Sequence, residues 1–134
     1  MKASEVRLGQ YVRPIHTRGR VFLPEPFRAA MSPQCVVTLG EGVFLRLFSI
    51  ERWEEYLERI HENGNLSDEE MDEVSRVVAM SYITNPDRQG RLAIPMELRE
   101  YARLTGDILF SGNLYWIEIW NQQLWESHIA LKKS

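Results

Sequence analysis

The chain carries the same phrase twice. Residues 16–28 read His16-Thr17-Arg18-Gly19-Arg20-Val21-Phe22-Leu23-Pro24-Glu25-Pro26-Phe27-Arg28. Residues 87–99 read Asp87-Arg88-Gln89-Gly90-Arg91-Leu92-Ala93-Ile94-Pro95-Met96-Glu97-Leu98-Arg99. In both, Gly-Arg is followed by an apolar-x-apolar-Pro step and then by apolar-Arg. A repeat at fixed offset constrains architecture more than any single motif, because each copy must build the same unit. Whatever the Gly-Arg turn does, one chain does it at two places.

The likeness runs on past the turn. Val37-Thr38-Leu39-Gly40 aligns with Leu109-Phe110-Ser111-Gly112, and Phe44-Leu45-Arg46-Leu47-Phe48 with Trp116-Ile117-Glu118-Ile119-Trp120. The offset grows by one residue in these later blocks, which places an insertion near Thr105-Gly106-Asp107. The expected division is repeat 1 with its C-terminal helix over 1–61, an acidic connecting helix over 62–78, and repeat 2 over 79–134.

At 134 residues the chain suits one unit of two intimately packed halves. The single Cys35 cannot form an internal disulfide and reads as a buried structural thiol. The start does not resemble a signal peptide, and no apolar run suffices to span a bilayer, so the expectation is a cytoplasmic protein without a membrane partner.

A net charge of −3 hides a strong asymmetry. Residues 1–50 hold seven Lys/Arg against three acids, whereas residues 51–73 hold two Arg against ten acids. The repeats are therefore neutral to basic, and the acidity is confined between them. A phosphate senses the local field, so a basic face is compatible with an acidic total.

Alternation and turn residues predict strands at Leu8–Ile15, Arg20–Leu23, Cys35–Leu39 and Val43–Phe48, with a short Pro-started helix at Glu25–Met31. Ser49 caps a helix with Ile50, Trp53, Leu57 and Ile60 as its stripe and Glu55–Arg59 as an ion pair one turn apart. Ser67 and Glu70 form a capping box opening a second helix, with Met71, Val74 and Val78 on its apolar side. The acidic run is best read as the solvated faces of these two helices. The second copy follows with strands at Ala79–Thr84, Arg91–Ile94, Ile108–Ser111 and Tyr115–Trp120, a helix from Pro95 to about Leu104, and a last helix from Gln122. The class is α+β, two tandem β-β-α-β-β-α repeats.

Catalysis finds little support. His16, His61 and His128 lack metal-ligand spacing with one another or with Cys35, no Ser or Cys sits in a nucleophile elbow, and Gly19 and Gly90 are single turn glycines without a phosphate loop. The expectation is no enzyme, no cofactor, no metal and no small-molecule substrate.

The turns are more informative. Asp87 can accept backbone N–H groups and Gly90 supplies a positive φ, so Arg88 and Arg91 project from a rigid β platform, as Arg18 and Arg20 do at Gly19. The plain alternative is a β-turn with solvated arginines. Arginine is suited both to phosphate and to bidentate reading of guanine edges. His16 stands where the second turn has an acid, and it is not expected to take over the carboxylate's acceptor role.

With these residues the chain resembles the MraZ family, bacterial regulators of the division and cell-wall gene cluster built from two SpoVT/AbrB-type repeats. The likeness covers nearly the whole chain. It rests on Gly9-Gln10-Tyr11, Gly19-Arg20, Pro24, Phe27-Arg28, Asp87-Arg88-Gln89-Gly90-Arg91, Ile94-Pro95, Leu98-Arg99 and Ile117-Glu118-Ile119-Trp120. The family's Asp-x-x-x-Arg pattern is complete at Asp87 and Arg91; in the first repeat only Arg20 matches. The resemblance implies a pseudo-twofold unit and a DNA-binding transcriptional regulator, a repressor in sense, nucleoid-associated and acting on promoter direct repeats of double-stranded DNA as a ring-forming homo-oligomer. Arg18, Arg20, Arg88 and Arg91, flanked by Arg13, are the expected DNA contacts, oriented by His16, Gly19, Asp87 and Gly90. Arg28 and Arg99 are expected to bond backbone carbonyls or a nearby acid.

Two matched strands present Phe44, Arg46, Phe48 and Trp116, Glu118, Trp120, aromatic-charge-aromatic with opposite central signs. These six are the expected oligomer interface, repeat 1 of one subunit docking on repeat 2 of the next. The same pairing could join the two halves of one chain. Other classes also stay open: an AbrB-type protein-binding module of the antitoxin kind, or a scaffold that no longer binds DNA.

Overall fold

Hydrophobic alternation and one Pro-started helical turn shape each half in the same way. The computed structural model describes residues 8–133; Lys2, Glu5, Arg7 and Ser134 lie outside them. In chain order the elements are β1 (Gln10–Pro14), β2 (Arg20–Phe22), α1 (Glu25–Met31), β3 (Cys35–Leu39), β4 (Leu45–Ser49), α2 (Ile50–Asn63), α3 (Asp68–Ala79), β5 (Tyr82–Thr84), β6 (Arg91–Ala93), α4 (Met96–Ala102), β7 (Asp107–Gly112), β8 (Ile117–Asn121) and α5 (Gln122–Lys133). This is an α+β fold in tandem. The connection from α1 to β3 spans 32–34 and that from α4 to β7 spans 103–106, so the extra residue of the second copy falls in that loop. Arg103 takes a left-handed conformation there, φ 54°, as the C-cap of α4.

The halves are interleaved. Six antiparallel strands form one sheet in the order β1-β7-β8-β4-β3-β5. β1 of the first half pairs with β7 of the second, and β5 of the second half pairs with β3 of the first. The centre of the sheet is the β4–β8 pair, with Leu45 opposite Ile119, Arg46 opposite Glu118 and Leu47 opposite Ile117. The remaining strands, β2 and β6, form a separate antiparallel ribbon, with Arg20 opposite Ala93, Val21 opposite Leu92 and Phe22 opposite Arg91.

Because strand side chains alternate, the sheet has two faces with different cover. One carries Val37, Leu39, Leu45, Leu47, Ile108, Phe110, Ile117 and Ile119, all fully buried in the main core with Val21 and Leu92 of the ribbon and Phe27 and Leu98 of the short helices. The other carries Thr38, Arg46, Phe48 and Trp120, which meet the long helices: Thr38 Oγ1 donates to Val77 O of α3 at 3.0 Å, Phe48 packs on Trp53 and Tyr56 of α2, and Trp120 on Trp125 of α5. The order through the molecule is ribbon with α1 and α4, then sheet, then α2, α3 and α5.

Several local expectations shift. β5 keeps only Tyr82–Thr84, because Ala79 closes α3. On α2 the contact to the sheet is Trp53 with Tyr56, and Leu57 is partly exposed. The expected Glu55–Arg59 pair gives way to Arg52–Glu55 at 2.9 Å, while Arg59 lies over the Tyr115 ring at 4.9 Å. On α3 the buried residue is Val77; Met71 and Val78 are exposed, since the helix meets β3 through its last turn. Ser49 and Ser67 cap as expected, accepting from Arg52 N and Glu70 N.

Candidate nucleic-acid interface

Both Gly-Arg turns close by the same bonds. In the first, Gly19 N donates to His16 O and His16 N to Arg20 O, both at 2.8 Å. In the second, Gly90 N donates to Asp87 O at 2.9 Å and Asp87 N to Arg91 O at 3.0 Å. Gly19 and Gly90 sit at φ +88° and +82°, where other residues are strained. A side chain at either position would have to displace a bracing arginine: a Cβ on Gly19 would lie 2.5 Å from Arg99 Nε and 2.8 Å from Ile94 O, and one on Gly90 2.7 Å from Arg28 Nε.

Those arginines cross between the halves. Arg99 donates to Ile94 O and to Thr17 O of the first turn, at 2.9 and 3.2 Å. Arg28 donates to Leu23 O at 2.8 Å beneath the second turn. Each turn glycine also accepts from the opposite half, Leu23 N to Gly90 O and Ile94 N to Gly19 O, both at 2.9 Å. Arg28 and Arg99 thus serve the backbone, and each half holds the other's turn in place.

The ribbon between the turns has one buried and one outward face. Val21 and Leu92 point into the core, so Arg20, Phe22, Arg91 and Ala93 share the outer face. His16, Arg18, Arg20, Phe22 and Arg91 line one open cleft of about 560 Å³ together with Pro14 and Ile15. Arg88 stands at the exposed second turn outside that lining, and Arg13 folds back on its own strand, donating to Val12 O at 2.8 Å with its guanidinium 5.9 Å from the Tyr11 ring. Phe22 did not stand out in the sequence. The signal was the alternation Arg20-Val21-Phe22, which marks it as outward only once Val21 is known to be buried.

The two turns differ in how they hold their arginines. Asp87 Oδ1 accepts from Gln89 N and Arg91 N at 2.9 and 2.8 Å, and Oδ2 accepts from Arg91 Nε at 2.8 Å. The Arg91 backbone N–H first, then its guanidinium and the Gln89 N–H, hold the Asp87 carboxyl below the usual carboxylate range. His16 corrects the expectation in part: its Nδ1 does accept from a backbone N–H, that of Arg18 at 3.2 Å. The imidazole makes no hydrogen bond to Arg20. Among the described residues, the exposed guanidiniums of Arg18, Arg20 and Arg88 have no hydrogen-bond or ion-pair partner.

The expected subunit contact has a different geometry. Arg46 and Glu118 are register partners within one chain, Phe44 stacks on Trp120 at 4.7 Å, and Phe48 meets Trp116 at 5.7 Å. These six residues meet one another along the β4–β8 seam between the two halves of one chain. Arg46 is 4% exposed, donates to Leu39 O at 2.9 Å, and lies 5.7, 5.3 and 5.2 Å from the ring centres of Phe48, Tyr56 and Trp116. Glu118 turns away to accept from Trp120 Nε1 at 2.9 Å.

Among the described residues no His/Cys/Asp/Glu group is placed to hold a metal, and no helix is long and apolar enough to cross a membrane. Cys35 is buried, and burial pushes its thiol up to about 12.

Comparison with known proteins agrees with the doubled architecture. The family model described as “MraZ protein, putative antitoxin-like” matches twice, over residues 13–76 and 79–133. Proteins named Transcriptional regulator MraZ are similar over most of the chain. That of Lachnoclostridium phytofermentans is 34% identical over 122 residues, 90% of this chain and 85% of the relative. That of Caldanaerobacter subterraneus subsp. tengcongensis is 31% identical with the same coverage. That of Thermomicrobium roseum is 32% identical over 125 residues, 92% of this chain and 87% of the relative. With both repeats matched and the likeness extending over nine-tenths of its length, the chain belongs to the MraZ family.

Proposed function

We propose that this protein is a DNA-binding transcriptional regulator that presents the β2–β6 ribbon and its two turns to double-stranded DNA. The observation that carries this is the outer face of the ribbon: Arg20 and Arg91 at diagonal corners of a two-stranded platform, with Arg18 and Arg88 at its turns. A two-stranded ribbon fits the major groove, about 12 Å wide. The acidic helices α2 and α3 meet the opposite face of the sheet, so their charge does not oppose a phosphate at the ribbon. In this function Arg18, Arg20 and Arg88 contact phosphate. Arg91, its Nε committed to Asp87, keeps its terminal nitrogens for a base edge or a phosphate.

The relatives' name, Transcriptional regulator MraZ, supports regulation of transcription; repression of the division and cell-wall cluster through promoter direct repeats is the form of that regulation proposed for this chain. A single short ribbon makes few contacts. A ring of copies engaging successive repeats would supply the missing affinity through linkage. Footprinting on the DNA upstream of the protein's own gene tests this: protected tracts recurring at equal spacing are expected, and no protection at a protein concentration of about 10 μM, well above the ~10⁻⁸ M of specific regulators, would overturn it.

A further inference from the structure

Phe22 is the large apolar residue of the ribbon's outer face, and charge does not explain it. It is 45% exposed, while its strand neighbour Val21 is buried. Its register partner is Arg91, and it lines the cleft with Arg18, Arg20 and Arg91. Among the described residues its ring makes no aromatic contact. The equivalent position of the second repeat is Ala93, beside Arg20. A pseudo-twofold scaffold therefore carries an asymmetric surface: a cation beside an aromatic ring at one end, a cation beside a methyl group at the other.

We propose that Phe22 is a specificity-determining residue whose ring packs against a thymine C5-methyl in the major groove, on the assumption that the ribbon binds DNA as described above. The guanidiniums around it bring phosphate and base edges to the cleft, which commits the occupant to nucleic acid. In the major groove the apolar feature presented by a base edge is the thymine methyl. An exposed phenyl ring gains from covering that methyl and gains nothing from cytosine, which lacks it. Since Ala93 offers far less apolar surface, the ribbon distinguishes the two directions along the duplex, and its preferred site is non-palindromic.

The test uses the full chain and the duplex that it selects from a randomised 30-base-pair pool. Each thymine is replaced singly by deoxyuridine, which removes only the methyl. At one position the parent is expected to lose about fourfold in affinity, the equivalent of one buried methyl at about 0.8 kcal/mol. Phe22→Ala should bind the thymine duplex about fourfold less tightly and be indifferent to the replacement, with its salt dependence unchanged. Phe22→Leu, which preserves an apolar strand residue, should retain part of the discrimination. Equal loss in the parent and in Phe22→Ala, or no loss in the parent at any thymine, would overturn the role of Phe22 while leaving DNA binding intact. Failure of the protein to select any duplex would overturn both together.

Discussion

Asp87 fixes the Arg91 side chain, and His16, at the equivalent place, leaves Arg20 loose. A carboxylate has two oxygens and up to four lone-pair directions, enough for two backbone N–H groups and a guanidinium. A neutral imidazole offers one acceptor nitrogen, already taken by Arg18 N. The difference is testable by NMR exchange of the arginine Nε–H protons. Arg91 Nε–H should be protected and Arg20 Nε–H should exchange freely. Since the Asp87 carboxyl titrates below its ordinary value, the clamp is present above the ordinary carboxylate range and is lost as pH falls through the lowered value. Protection at Arg91 should therefore survive mild acid and vanish only below about pH 3.9, the unperturbed value for aspartate. Asp87→Ala should abolish it at every pH, and His16→Asp should extend it to Arg20. Equal exchange at the two arginines in the parent would contradict the asymmetry.

At the scale of elements, a buried cation ties β4 to its surroundings. Arg46 lies among Phe48, Tyr56 and Trp116 and satisfies Leu39 O, the carbonyl at the end of β3. Arg46→Glu would place an unpaired carboxylate against the negative faces of these rings, opposite Glu118. Leaving a buried charge uncompensated costs about 3–5 kcal/mol, so urea unfolding should shift to a markedly lower midpoint. Arg46→Met, which keeps the apolar stem, should lose less. An unchanged midpoint in Arg46→Glu would show that this cation is not integral to the fold. The residue also shows where sequence stops being sufficient. Its strand and the alternation around it were legible, because both are local. Its burial was not, since that depends on which strand lies beside β4. The same limit explains the crossed pairing of β1 with β7 and β5 with β3: local pattern makes a strand but does not choose its partner. On α3, period alone allowed Val74 and Val78, whereas the buried residue is Val77, whose carbonyl Thr38 of the sheet bonds. At the site, both arginine pairs and both glycines stood out by repetition. The bonding of Arg28 and Arg99 to backbone carbonyls was legible too; Phe22, and the placing of each of these arginines beneath the other half's turn, depended on the halves being interleaved.

At the scale of the whole molecule, interleaving is what gives the ribbon its rigidity. Each half supplies one strand of the ribbon, one arginine beneath the other half's turn and one strand across the sheet. The sheet then separates two electrostatic regions, an arginine-bearing ribbon on one side and the acidic helices on the other, which is how a chain of net charge −3 can offer a cationic surface. The decisive measurement is the salt dependence of binding to the protein's own promoter fragment, for the parent and for the combined Arg18→Ala, Arg20→Ala, Arg88→Ala and Arg91→Ala variant, with the fold checked by circular dichroism. Each phosphate contact contributes about 0.9 to the steepness of log K against log salt. The variant should bind more weakly, with a slope shallower by roughly 3 if three or four of these contacts are to phosphate. Equal affinity and equal slope in a folded variant would show that the ribbon is not the DNA-binding surface.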